Sequence, residues 1–161
     1  MEEININPTA FEKIVLEMLS KEFQKYDHCV IEHNKKIRAH DGNYQIDGYI
    51  EYDVMGITYK TLLECKHQKD SIKREDIERL YSRIQSCGVH KGILVSSSSF
   101  QSGAMEFAKA HGIALIQVSP EENSKPRLVT NMKRRVLHIS EGLRAVLLVG
   151  DLSEHSTDNR A

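Results

Sequence analysis

Gln45-Ile46-Asp47-Gly48-Tyr49-Ile50-Glu51-Tyr52-Asp53, followed after Met55-Gly56 by Ile57-Thr58-Tyr59-Lys60-Thr61-Leu62-Leu63-Glu64-Cys65-Lys66-His67, decides the fold. In the first run Ile46, Gly48, Ile50 and Tyr52 alternate with Gln45, Asp47, Tyr49, Glu51 and Asp53. A period of two is that of a strand. Met55-Gly56 breaks the run, so Tyr44–Asp53 and Ile57–His67 are predicted as two strands of one hairpin.

The chain reads outward from there. Upstream, Phe11, Ile14, Val15, Met18, Leu19 and Phe23 recur at helical spacing and predict a helix over 8–24. Asn7-Pro8-Thr9 opens it, and Thr9 with Glu12 fits a capping box. His28–Ile37 reads as a strand, with a turn at Asp41-Gly42-Asn43. Downstream, Ser71 is the expected N-cap of a second helix. Ile77, Leu80, Tyr81 and Ile84 are its buried stripe and Gly88 its stop. Gly92–Val95 reads as a buried strand, 101–111 as a third helix ending at Gly112, and Ile113–Val118 as a fifth strand. The order αβββαβαβ implies an α/β fold, a mixed central sheet flanked by helices. Pro120–Pro126 reads as a linker; Val136–Ile139 and Leu143–Val149 fit strands or a short helix; the tail from Asp151 is polar.

Composition sets limits. The chain has 161 residues, enough for one domain with a real core. A 40% hydrophobic and 28% charged make-up excludes a low-complexity or wholly disordered chain. The net charge of -1 leaves nucleic-acid binding to the placement of basic residues. Three cysteines (Cys29, Cys65, Cys87), an odd number without C-x-x-C spacing, argue against a disulfide framework and a zinc ribbon. A reducing, cytoplasmic setting is the expectation, with no leader sequence and no membrane partner.

The hairpin carries the chemistry. If its strands pair, Asp47 and Glu64 lie side by side, and Glu64 and Lys66 share a face. Two close carboxylates repel each other, and a divalent cation relieves that repulsion. Mg²⁺ prefers oxygen ligands and retains waters. It polarises a phosphodiester and acidifies a bound water, while a nearby lysine steadies the attacking water or a phosphate oxygen. An exposed salt bridge, worth ~0–1 kcal/mol, is the plainer reading of E-x-K alone. Glu12 is either a capping-box member or a support for the acid pair. His67 and Cys65 point to the other strand face, His67 to packing or a hydrogen bond and Cys65 to the core.

Further short runs extend the pattern: Phe11-Glu12, Gln45-Ile46-Asp47, Glu64-Cys65-Lys66-His67, Lys91-Gly92-Ile93-Leu94-Val95-Ser96, Phe100-Gln101-Ser102-Gly103-Ala104, Phe107-Ala108-Lys109 and Gly112-Ile113. Together, over about 8–118, these resemble the Mrr-type restriction endonuclease domain, a branch of the PD-(D/E)xK nuclease superfamily. The resemblance implies a restriction-endonuclease-like core and Mg²⁺-dependent DNA cleavage, with Mn²⁺ able to substitute. It makes Asp47 and Glu64 the metal-binding acids, Lys66 the catalytic lysine and Glu12 the acid from the first helix. Ile46 stands where the family pattern has proline, Glu64 where many Mrr relatives have glutamine, and Gln68 where an aromatic residue is common.

Basic and polar residues around the hairpin are the candidate DNA contacts: Lys35, Lys36 and Arg38, with His33 and His40 nearby, then Gln45, Lys69, Lys73, Ser97 and Ser98. The Ser96–Ser99 run serves equally as a loop and helix cap. Residues 125–135 form a second basic cluster. The expected partners are double-stranded DNA and a second copy of the chain, with no organic cofactor. Residues 1–118 are the expected catalytic domain and 119–161 an extension. A catalytically inactive DNA-binding or protein-interaction module and a structure-selective junction nuclease are the alternatives.

Overall fold

The computed structural model describes residues 4–120, and residues 133–140 and 143–149 as strands. The elements are α1 (Pro8–Phe23), β1 (Asp27–Ala39), β2 (Gly42–Val54), β3 (Ile57–Lys66), α2 (Arg74–Cys87), β4 (Lys91–Ser96), α3 (Ser102–Ala110), β5 (Ala114–Pro120), β6 (Lys133–Ser140) and β7 (Leu143–Val149). Among the described residues they build one seven-stranded sheet in the order β1-β2-β3-β4-β5-β7-β6. The β1–β2–β3 meander is antiparallel, β3–β4–β5 is parallel, and β7 returns antiparallel to β5. The two segments that fitted strand or helix are thus strands. Of the predicted linker, Pro120 ends β5 and the rest lies outside the described residues, as do the basic side chains of 125–135 and the tail.

Strand periodicity explains the two cores. Leu62 faces one way and Leu63 the other, as do Leu94 and Val95, and Leu115 and Ile116. α1 covers one face, packing Phe11, Val15, Leu16, Met18 and Leu19 with Ile50, Leu63, Val95 and Ile116. α2 and α3 cover the other, packing Ile77, Leu80, Ile84, Ala104 and Ala108 with Leu62, Leu94 and Leu115. Each fully buried leucine or isoleucine contributes ~1.5–3 kcal/mol. With both faces covered, the central strands have no solvent side and read as continuous apolar runs.

Two helix starts differ from expectation. Asn7 caps α1: its Oδ1 accepts from the Ala10 N–H at 2.8 Å, with Pro8 entering directly behind it. Asparagine is the stronger N-cap, so the Thr9–Glu12 capping box does not form and the Glu12 carboxylate is available elsewhere. α2 starts at Arg74 behind Lys73, whose N–H donates to Asp76 at 3.0 Å. Ser71 does not cap it. The fully buried Ile72 bridges in parallel to Phe100, bonding to the Ser99 carbonyl and the Gln101 N–H, which keeps the chain extended here.

The meander also outgrows the sheet. β2 pairs with β3 only from Gly48↔Leu63 onward, whereas β1 and β2 pair out to Ala39↔Gly42. Residues 35–46 therefore form a two-stranded overhang beyond the last pair that β2 makes with β3. Asn34, at φ 53°, marks its root opposite Asp47; asparagine tolerates this left-handed conformation better than most side chains. The overhang bends over α2. Ile37 and Tyr44 pack into the α2–α3 core, and the Ser86 hydroxyl donates to Asp41 at 2.6 Å.

Candidate active site

The acids meet where β2 leaves β3. One step past the Gly48↔Leu63 pair, the register sets Asp47 against Glu64. The Asp47 carboxylate accepts from the Cys65 N–H at 2.8 Å, which pins it to the end of β3. Glu64 Oε1 lies 3.2 Å from Lys66 Nζ, and its Oε2 accepts from Arg83 Nη1 of α2 at 2.6 Å. Glu64 is buried, with its side chain 11% exposed against 25% for Lys66, so the acid is the deep partner and the lysine faces the opening. From the α1 side, Glu12 pairs with His33 Nε2 at 2.7 Å.

The electrostatics agree with this convergence. Burial pushes the Asp47 carboxyl above its ordinary 3.8, and the charges of Glu64 and Glu12 push it further. The Cys65 N–H and the Lys66 ammonium act in the opposite sense. Burial foremost, then Asp47, Glu12 and Glu64, also push the Cys65 thiol up, which leaves it an inert core group. Asp47 thus feels two further carboxylates around the end of the hairpin. Among the described residues no three His, Cys, Asp or Glu side chains form a ready metal cluster. Asp47 and Glu64 are two hard oxygen donors, a set that suits Mg²⁺, which keeps waters for its remaining positions.

Of the sequence-predicted residues, the structure brings Glu12, Asp47, Glu64 and Lys66 together. Lys36, Arg38 and Gln45 line a concavity of about 420 Å³ on the overhang, with Ile37, Asn43 and Tyr44. Gln45 Nε2 also donates to Asn34 at 3.4 Å. Lys35 pairs with Glu32 and lies 4.0 Å over the Tyr49 ring. Lys69 and Lys73 are exposed on the segment between β3 and α2. The hydroxyls of Ser97 and Ser98 turn inward: Ser97 contacts His67 Nδ1 at 2.9 Å, and Ser98 donates to the Asp70 carbonyl at 2.8 Å. His67 is a structural anchor. Its Nε2–H donates to the Ile6 carbonyl at 2.8 Å, and its ring stacks on Phe11 with centroids 5.0 Å apart.

Sequence reasoning missed two residues. Arg83 sits beside Ile84 on the edge of the α2 stripe, and no local spacing links it to Glu64. His33 reads as a member of the basic group before the hairpin, yet it turns to Glu12. No helix among the described residues is long and apolar enough to cross a membrane.

Comparison with solved structures supports the fold. A protein of unknown function, AF1548, superposes with a TM-score of 0.58 at 18% identity, over 68% of this chain and 57% of its own. The DNA modification-dependent restriction endonuclease AspBHI gives 0.51 at 22% identity, over 68% of this chain and 28% of its own. This chain therefore spans little more than half of the first and under a third of the second. No curated protein matches it. The restriction endonuclease family model Mrr_cat matches residues 4–119, most of the chain and all of the site. On that match, and on a fold shared with such enzymes, the chain belongs to this restriction endonuclease family.

Proposed function

We propose that this domain is a divalent-metal-dependent DNA endonuclease. The observation that carries the reading is the meeting of Asp47, Glu64 and Lys66 at the end of one buried hairpin, with Glu12 close enough to perturb Asp47. Asp47 and Glu64 would hold Mg²⁺ or Mn²⁺, which supplies Lewis-acid polarisation of the scissile phosphate and an acidified water when bound. The Cys65 N–H fixes the direction of the Asp47 carboxylate. Lys66 presents an ammonium beside Glu64, placed to hold the attacking water or neutralise charge building on the phosphate. Glu12, oriented by His33, supports the acid pair.

DNA lies along the overhang in this reading. Lys35, Lys36, Arg38 and Gln45 contact phosphates on one side of the acids, and Lys69 and Lys73 on the other. Ser97 and Ser98 are left out of the contact set, because their hydroxyls are engaged inside the loop. Cutting both strands of a duplex takes two sites, so a homodimer is the working assembly. Residues 1–118 form the catalytic unit, and β6 and β7 of the extension lengthen its sheet. AspBHI is by name modification-dependent; methylated DNA is accordingly the first substrate class to try, in a cytoplasmic setting.

The test is nicking of supercoiled plasmid, methylated and unmethylated, with Mg²⁺, Mn²⁺ or EDTA. Metal-dependent nicking is expected from the wild type. It should fall by roughly 10²–10³-fold in Lys66→Ala, as for loss of a charge-stabilising donor, and at least as far in Asp47→Ala. Binding without cutting under every condition would favour the inactive module. Cutting that survives both substitutions would place the chemistry elsewhere.

A further inference from the structure

The Arg83–Glu64 contact covers the acid a metal would need. Both oxygens of Glu64 face cations: Oε1 faces Lys66 and Oε2 faces Arg83. Lys66 is two residues away on the same strand. Arg83 comes from another element, on a long stem, with its side chain 30% exposed. One turn further along α2, the Ser86 hydroxyl donates to Asp41 at 2.6 Å, which joins the overhang that carries Lys36 and Arg38 to the helix that carries Arg83.

We infer that Arg83 is an exchangeable counter-ion: it neutralises Glu64 in the DNA-free protein and transfers to a DNA phosphate when substrate arrives, which ties metal loading to DNA binding. This rests on the nuclease reading of the site. The physical basis is that Glu64 is buried and both of its oxygens are already taken by cations, so a metal reaches Oε2 only as Arg83 leaves it. Lys66 stays on Oε1 throughout. A phosphate is a good destination, since the guanidinium fork pairs with phosphate oxygens as it does with a carboxylate. DNA then frees Glu64 for the metal, and by linkage the metal favours the DNA-bound position of Arg83. Arg83 is thus a positioning residue that acts through Glu64.

The experiment uses the full chain with two readouts. Mn²⁺ binding without DNA is followed by electron paramagnetic resonance. Binding of a duplex in EDTA is followed by anisotropy across a salt series. Arg83→Gln is expected to bind Mn²⁺ roughly tenfold tighter than wild type, within the usual range of such couplings. The same variant should bind DNA more weakly, with the log–log salt slope reduced by about one phosphate contact. Arg83→Lys, which keeps the charge but not the fork, should keep the salt slope and gain part of the metal affinity. It answers the same question if the glutamine variant melts early. Unchanged or weaker Mn²⁺ binding in Arg83→Gln, in a protein that still cuts DNA, overturns the inference alone. A wild type that cuts nothing, with neither protein binding Mn²⁺, overturns the nuclease reading with it.

Discussion

Gly48→Ala tests how closely the site depends on the packing beneath it. Gly48 stands between Asp47 and the buried Tyr49, opposite Leu63, whose own neighbour is Glu64. A Cβ built there would lie 2.7 Å from Leu63 Cδ2, 2.8 Å from Leu16 Cδ2 and 3.0 Å from Leu63 Cβ. Ordinary carbon contacts are ~3.5–4.0 Å, so room of roughly 0.5–1 Å must be made. The leucine tips sit in a filled core and have little freedom, and Leu63 Cβ moves only with the backbone of β3. The strands must therefore part where the acids face each other. Overpacking of this kind costs ~1–3 kcal/mol. In a domain of this size that lowers Tm by roughly 2–12 °C. A shift approaching 1 Å between catalytic groups costs ~10²-fold in rate, so plasmid nicking should fall far more than the melt suggests. Adding Leu16→Ala should recover stability relative to the sum of the single effects, since one of the two clashing tips is removed. It should not recover nicking, because the Leu63 Cβ contact remains. A Gly48→Ala protein with a Tm within about 1 °C of wild type and full nicking would refute the reasoning.

Three other outcomes follow from the same geometry. Because the folded state holds the Asp47 proton more tightly than the unfolded chain, metal-free stability is lost as pH rises from 3.8 through the raised value. Asp47→Asn should therefore match wild type at acid pH in EDTA, with an advantage in stability that grows through that window and then levels off; a pH-independent difference would count against it. His67→Ala removes the bond to Ile6, the Ser97 contact and the Phe11 stack together, and should cost ~1–3 kcal/mol, with faster hydrogen exchange in residues 4–8. Lys36→Ala and Arg38→Ala should each weaken duplex binding and lower the salt slope by about one while leaving Tm nearly unchanged; an unaltered slope would take DNA off the overhang.

Much of the fold was legible because its signals are local. Alternation over 44–53 and the break at Met55-Gly56 before Ile57–His67 announced the hairpin, and the i, i+3, i+4 stripes of α1 and α2 announced their buried faces. Once the hairpin was drawn, its register placed Asp47 against Glu64, and strand period placed Lys66 beside Glu64. The errors were also local, and each came from a stronger competitor. Asn7 displaced Thr9 as the cap of α1, and the bridge from Ile72 to Phe100 delayed α2 past Ser71. The direction of the Ser97 and Ser98 hydroxyls was not legible, since it depends on the carbonyls that β3 leaves beside the loop.

The sequence by itself therefore determined which acidic and basic side chains one hairpin brings together, because periodicity and register act over neighbouring residues. Only the tertiary structure decided who neutralises whom. Arg83 reaches Glu64 because the β3–α2–β4 crossover lays α2 across the sheet, and His33 reaches Glu12 because α1 packs on the opposite face. The overhang meets α2 because Ile37 and Tyr44 pack into the α2–α3 core and Ser86 donates to Asp41. Charge pairing between elements follows from how faces are packed against each other, and no periodicity along the chain encodes it.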